Sequence, residues 1–102
     1  MGHFVKIAAA ADMPPVGEAK EFSVGDHILC VANVNGTLSA MDNACLHVGG
    51  PLGQGLVEKG KVVCPWHGWQ YDPRSGALAH SPGLCVAVYP IKIENKEVWV
   101  EL

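Results

Sequence analysis

No stretch of this chain runs much beyond a dozen residues without a turn signal, and turns recurring at roughly eight to twelve residues favour short strands. Between those signals apolar and polar residues alternate. Strands are predicted at His3–Ala8, Ala19–Val24, His27–Val34, Thr37–Asp42, Leu56–Glu58, Lys61–Cys64, Gln70–Asp72, Val86–Tyr89, Ile91–Glu94 and Glu97–Glu101. Asn35-Gly36 is a strong two-residue hairpin signal, because both central positions need positive φ. Asn95-Lys96 is a weaker one, since lysine tolerates that conformation poorly. Lys59-Gly60 and Pro73-Arg74-Ser75-Gly76 mark two further turns. No helical period survives over a full window, and Pro14-Pro15 ends any helix in the first segment. The fold class is all-β. At 102 residues the chain is one domain, 1–102, able to bury about two-thirds of its unfolded surface around one modest core.

Two loops carry the chemistry. Cys45-Leu46-His47 is followed, after sixteen residues, by Cys64-Pro65-Trp66-His67, each within a glycine-rich, proline-bearing segment. Two thiolates and two neutral imidazoles suit a soft-to-borderline metal. A finger-type zinc site pairs Cys with Cys and His with His in separate halves. Here each loop offers one of each, so two loops can clasp a two-iron cluster with both cysteines on one iron and both histidines on the other. A structural zinc site remains the alternative for the same four residues.

The pattern resembles that of Rieske proteins: C-x-H, a spacer of about sixteen residues, then C-x-x-H, here followed by Gly68. Outside residues 42–84 the resemblance rests on length and strand pattern. Within the superfamily the chain looks most like the small soluble Rieske ferredoxins that feed bacterial ring-hydroxylating dioxygenases. The resemblance implies an antiparallel β-sandwich base formed by the two ends, with a small cluster-binding subdomain inserted at about residues 43–84. The shift in composition agrees, since most glycines fall in that middle segment. It also implies one Rieske-type [2Fe–2S] cluster, with Cys45 and Cys64 on the inner iron and His47 and His67 on the outer.

Other positions follow from the same comparison. Gly49, Gly50, Gly53 and Gly68 either bring backbone N–H donors close to the cluster or are simple loop glycines. Pro51 and Pro65 stiffen the loops, and Ala79-His80-Ser81-Pro82-Gly83 resembles the proline-bearing loop that covers the cluster in this family. Rieske proteins of cytochrome bc complexes join their ligand loops with a disulfide, whose places are here taken by Gly50 and Trp66. They also place a cluster-bonding serine where this chain has Trp69, while Tyr71 falls where their tyrosine sits. One donor lost of two implies a potential toward the low end of the range, roughly −150 mV rather than +300 mV. The remote N–H of a ligand histidine is more acidic on ferric iron, so the midpoint is expected to fall at alkaline pH. Trp66 and Trp69 flank His67 as an apolar collar or as core filling, and Trp99 reads as core or sheet packing. His3, His27 and His80 read as surface or satisfied residues, with His80 in a loop that can lie near the cluster.

The expected function is that of a one-electron carrier. It would pass electrons from a flavin-dependent ferredoxin reductase to a terminal ring-hydroxylating Rieske oxygenase, through the exposed edges of His47 and His67. Small, transient docking of a monomer suits a carrier. The chain has no G-x-G-x-x-G fingerprint and no nucleophile–base arrangement, so no catalytic residue is expected. Its length leaves no room for a second domain with a mononuclear iron. A net charge of −3 without a basic run argues against nucleic acid. The mild acidity fits steering toward a basic patch, or ordinary solubility. The N-terminal apolar stretch is short and contains Lys6, and no long apolar run occurs, so neither a signal peptide nor a membrane span is expected and the location reads as cytoplasmic. Cys30 and Cys85 read as small buried hydrophobes, unpaired in a reducing compartment. Two competing readings are the small Rieske subunit of a nitrite-reductase-type oxidoreductase and a zinc-stabilised interaction module.

Overall fold

Two-residue turns set several of the hairpins in a computed structural model that describes residues 2–47, 49–66 and 68–102. Asn35-Gly36 (φ 54° and 92°), Lys59-Gly60 (50° and 78°) and Asn95-Lys96 (53° and 64°) all hold both central residues in the left-handed region, which matches the twist of flanking strands. The strands are β1 (Phe4–Ala9), β2 (Ala19–Val24), β3 (His27–Val34), β4 (Thr37–Asp42), β5 (Leu56–Glu58), β6 (Lys61–Val63), β7 (Gln70–Tyr71), β8 (Ala77–Leu78), β9 (Ser81–Cys85), β10 (Val88–Tyr89), β11 (Ile91–Glu94) and β12 (Glu97–Glu101). Short 3₁₀ turns occupy Ala10–Asp12 and Leu52–Gln54, and no helix among the described residues is long and apolar enough to cross a membrane. The all-β expectation holds, with antiparallel pairing throughout.

The strands form three sheets, ordered β1-β12-β11, β10-β4-β3-β2 and β5-β6-β7-β8-β9. The four-stranded sheet is the middle layer, and β3 shows why. Its residues Leu29, Cys30, Val31 and Ala32 are all fully buried, an apolar run covered on both faces. Leu29 and Val31 pack with Ala40 and Val100, toward the three-stranded sheet. Cys30 and Ala32 face the other way, with Met41, Val62, Tyr71 and Leu78, toward the five-stranded sheet. The two loops of interest leave from β4 and β6 and share this second core through Cys45 and Cys64.

Three details depart from the expectations. Strands β8 and β9 arise where turn and loop were expected. β9 carries Pro82 and Gly83, which an edge strand tolerates because its outward N–H groups have no neighbour to bond. Cys85, in that edge strand, is exposed rather than buried, while Cys30 is buried, and the two form no disulfide. Val86–Tyr89 contracts to β10, with the Val86 N–H donating to the Gly76 carbonyl instead. Trp99 meets its expectation as sheet packing, on the outer face of β12, since Val98 and Val100 on either side of it are the fully buried pair. Lys6 and Lys92 stand opposite it in register on the two neighbouring strands.

Cys30 makes a test of the middle layer. Burial, reinforced by the nearby Glu21 carboxylate, pushes its thiol from the ordinary 9.0 up to about 12. In that interval the unfolded chain has released the proton and the folded chain has kept it. Stability therefore falls as pH rises from 9.0 toward 12. Denaturant midpoints at about pH 7.5 and 10.5 are expected to separate less in Cys30→Ala than in the parent. Equal separations would remove Cys30 from the alkaline response.

Candidate metal centre

The two loops are built on the same hydrogen-bond plan. In the first, the Cys45 N–H donates to the Gly50 carbonyl (2.9 Å) and the Gly49 N–H donates back to the Cys45 carbonyl (2.8 Å). In the second, the Cys64 N–H donates to the Trp69 carbonyl (2.8 Å) and the Gly68 N–H to the Cys64 carbonyl (3.0 Å). Each cysteine therefore bonds the residue five positions on, and a glycine four positions on turns the chain at φ +74° or +76°. That left-handed turn is what glycine supplies. Of the two readings for these glycines, Gly49 and Gly68 fit that of loop glycines, because their amides are committed to the cysteine carbonyls.

Gly53 is committed too, through a residue that sequence reasoning missed. Asn43, buried just before the first loop, accepts the Gly53 N–H at 2.7 Å and donates to the Glu21 carboxylate at 2.6 Å. Gln54 donates to the other Glu21 oxygen at 3.1 Å, and the Leu52 N–H bonds the Asn43 carbonyl at 2.8 Å. The first loop is thus tied to β2 of the middle sheet by one carboxylate. An asparagine two residues before the first cysteine was the only signal in the sequence.

Cys45 and Cys64 are nearly inaccessible, at 3% and 2% exposure. Tyr71, fully buried at the end of β7, sits between the loops. Its hydroxyl lies 3.2 Å from the Cys45 sulfur and accepts the Leu46 N–H at 2.9 Å. With that acceptor role filled, the phenol proton is the one left to donate to a thiolate. Burial first, then the bond to Cys45 and the charges of both cysteines, hold the phenol well above the usual tyrosine range, so it stays protonated. The expected sulfur-bonding role of Tyr71 is in place.

At Gly50 the two loops are in close contact. A β-carbon there would meet the Cys64 sulfur at 2.7 Å and the Trp66 ring at 3.2 Å. Trp66 therefore packs on Gly50, at the two positions where the related branch carries its disulfide. Trp69, five after Cys64 as Gly50 is five after Cys45, reaches beyond its own loop. Its indole stacks on the His47 ring of the other loop, with centroids 4.6 Å apart and planes 22° apart. His80 meets the indole edge-on at 5.2 Å, which brings that residue to the site's margin. Stacks of this kind contribute about 0.5–1.5 kcal/mol beyond burial.

Of the four expected ligands, Cys45, His47 and Cys64 are gathered around Tyr71 and Trp69. His67 lies outside the described residues. Among the described residues no three His, Cys, Asp or Glu side chains converge tightly enough for a single ion. The site does fit a larger sulfur-bridged group: two buried sulfurs, a buried hydroxyl donor aimed at one of them, and a glycine clearing the approach to the other.

Comparison with known proteins converges on one family. A model of the Rieske [2Fe–2S] domain matches residues 3–90. Apoptosis-inducing factor 3 of Homo sapiens is 34% identical over 85 residues, covering 82% of this chain, and the chain spans only 14% of that relative's length. The ferredoxin component of the 2,4-dinitrotoluene dioxygenase system of Burkholderia sp. (strain RASC) is 31% identical over 96 residues, 93% of this chain and 92% of the relative. Among solved structures, a chain in the complex of reduced oxygenase and oxidized ferredoxin of carbazole 1,9a-dioxygenase superposes with a TM-score of 0.82 at 29% identity. That match covers 96% of this chain and 92% of that one.

Proposed function

This chain belongs to the Rieske [2Fe–2S] domain family, and from that premise we propose that it is a soluble one-electron carrier of an oxygenase system. In this reading Cys45 and Cys64 hold the inner iron of one cluster, and His47 and His67 hold the outer. The cluster, when bound, supplies a centre that gains and loses one electron. The protein's own part is to bury the cysteine sulfurs, place the Tyr71 donor against one of them, and present the histidine side to a partner.

The observation that carries the reading is the contrast in exposure at the loop tips. The cysteines are buried, while Leu46 and Trp66, next to the ligand positions, are 46% and 54% exposed. An apolar rim around a redox centre is suited to small interfaces that form and release quickly. Full-length likeness to the ferredoxin component of a dioxygenase system supports the same role. We propose a flavin-dependent ferredoxin reductase as donor and a terminal Rieske oxygenase as acceptor, with the chain acting as a cytoplasmic monomer. The cluster-bearing segment is proposed to be residues 43–84.

An EPR spectrum of the dithionite-reduced protein is expected to show the lowered average g of mixed Cys/His ligation, with one electron taken up reversibly per chain. Leu46→Gln combined with Trp66→Gln is expected to slow electron delivery to a terminal oxygenase about tenfold, near 1.4 kcal/mol, with the midpoint measured alongside so that a loss of docking is told from a change in the centre. A colourless zinc-loaded protein overturns the carrier role. Unchanged delivery by the double variant moves the docking surface elsewhere.

A further inference from the structure

We infer that Trp69, braced by His80, is the positioning residue for His47: it fixes the plane of that imidazole across the two loops and thereby sets the midpoint potential. The inference rests on the reading of His47 as an iron ligand. It begins from the asymmetry in two otherwise matching loops. The residue five after the cysteine is glycine in the first, where the other cysteine's sulfur needs the room. In the second it is a tryptophan whose ring crosses to the first loop.

An imidazole held through one ring nitrogen can still turn about that bond. A flat indole at 4.6 Å and 22° resists the turn, because the ring edge would have to push into it. The indole is in turn held: His80 abuts its edge at 89°, from the β8–β9 turn, and Trp69 packs against the buried cluster of Tyr71 and both cysteines. His47 itself is exposed, so the indole also keeps water from one face of the ring. Both effects act on potential with one sign. Water near the centre favours the more negative, reduced form, and the electron-rich indole face disfavours it. Removing the indole therefore raises the midpoint.

The test compares Trp69→Leu, Trp69→Phe and His80→Ala in the cluster-loaded protein, by protein-film voltammetry and EPR. Trp69→Leu is expected to favour reduction about tenfold, an upward shift near 59 mV for one electron. It should also change the g anisotropy as the ring plane relaxes. Trp69→Phe, which keeps a stacking face, is expected to restore most of both values. His80→Ala is expected to move them the same way by about threefold in the equilibrium, near 28 mV. A fully loaded Trp69→Leu protein with parental midpoint and g values overturns the inference. If that variant does not load, His80→Ala decides, and unchanged values there overturn it. A parent spectrum without mixed Cys/His character would overturn the ligand assignment, and this inference with it. A normal parent spectrum with unresponsive variants overturns this inference alone.

Discussion

Gly50→Ala is expected to reduce iron content per chain by at least about tenfold at limiting iron, the scale on which positions supporting a metal ligand act. The added carbon would sit 2.7 Å from the Cys64 sulfur, closer than a β-carbon contact allows. The half-exposed Trp66 ring can swing aside, but the sulfur cannot do so and still point at an iron. Gly49→Ala supplies the contrast. Its β-carbon would meet open space, and its φ of +74° costs a non-glycine residue about 1–2 kcal/mol. That variant is expected to lose stability while taking up iron. Iron analysis and visible absorption on both proteins separate the two effects, and full loading of Gly50→Ala would show that the loops open more readily than their packing indicates.

Tyr71→Phe is expected to lower the midpoint potential. The hydroxyl donates toward the Cys45 sulfur, a bond that strengthens as the reduced centre places more negative charge on its ligands. Losing it disfavours reduction by about tenfold, near 59 mV for one electron. The same substitution takes the acceptor from the Leu46 N–H, so folding stability is expected to fall by about 1–3 kcal/mol. Voltammetry and denaturant titration read the two losses independently. A parental midpoint in a destabilised variant would confine Tyr71 to holding the first loop.

The two variants act on opposite sides of one arrangement. Gly50 clears space for one sulfur, and Tyr71 supplies a proton to the other. Trp66 and Gly50 occupy the places where a related branch has a disulfide, and here the loops are held by ring packing instead. Such a closure does not depend on the redox state of a cystine. It depends on Trp66 and Trp69 keeping their partners.

Much of this was readable from consecutive residues. Cys45, His47, Cys64 and His67 suggest a donor set by type and spacing, and Asn35-Gly36 declares its turn because φ is a property of the residue itself. The apolar run of β3 read as a strand, and its burial on both faces emerged only with the sheets stacked on either side. Reading failed where a local signal met a tertiary exception. Ala79-His80-Ser81-Pro82-Gly83 read as a loop, yet from Ser81 the segment pairs as an edge strand because only one of its sides needs partners. Cys85 read as buried from its apolar neighbours, and its place on that edge left it exposed.

The sequence by itself determined the β character, the hairpins and the spacing of the two cysteine–histidine motifs, since each depends on side chains and backbone preferences a few residues apart. Only the tertiary structure decided that Trp69 stacks on His47, that Glu21 anchors the first loop through Asn43, and that Tyr71 stands between the two loops. A period of two tells which face of a strand is buried. Which residues meet across that face depends on how three sheets stack, and stacking joins positions that no local pattern relates.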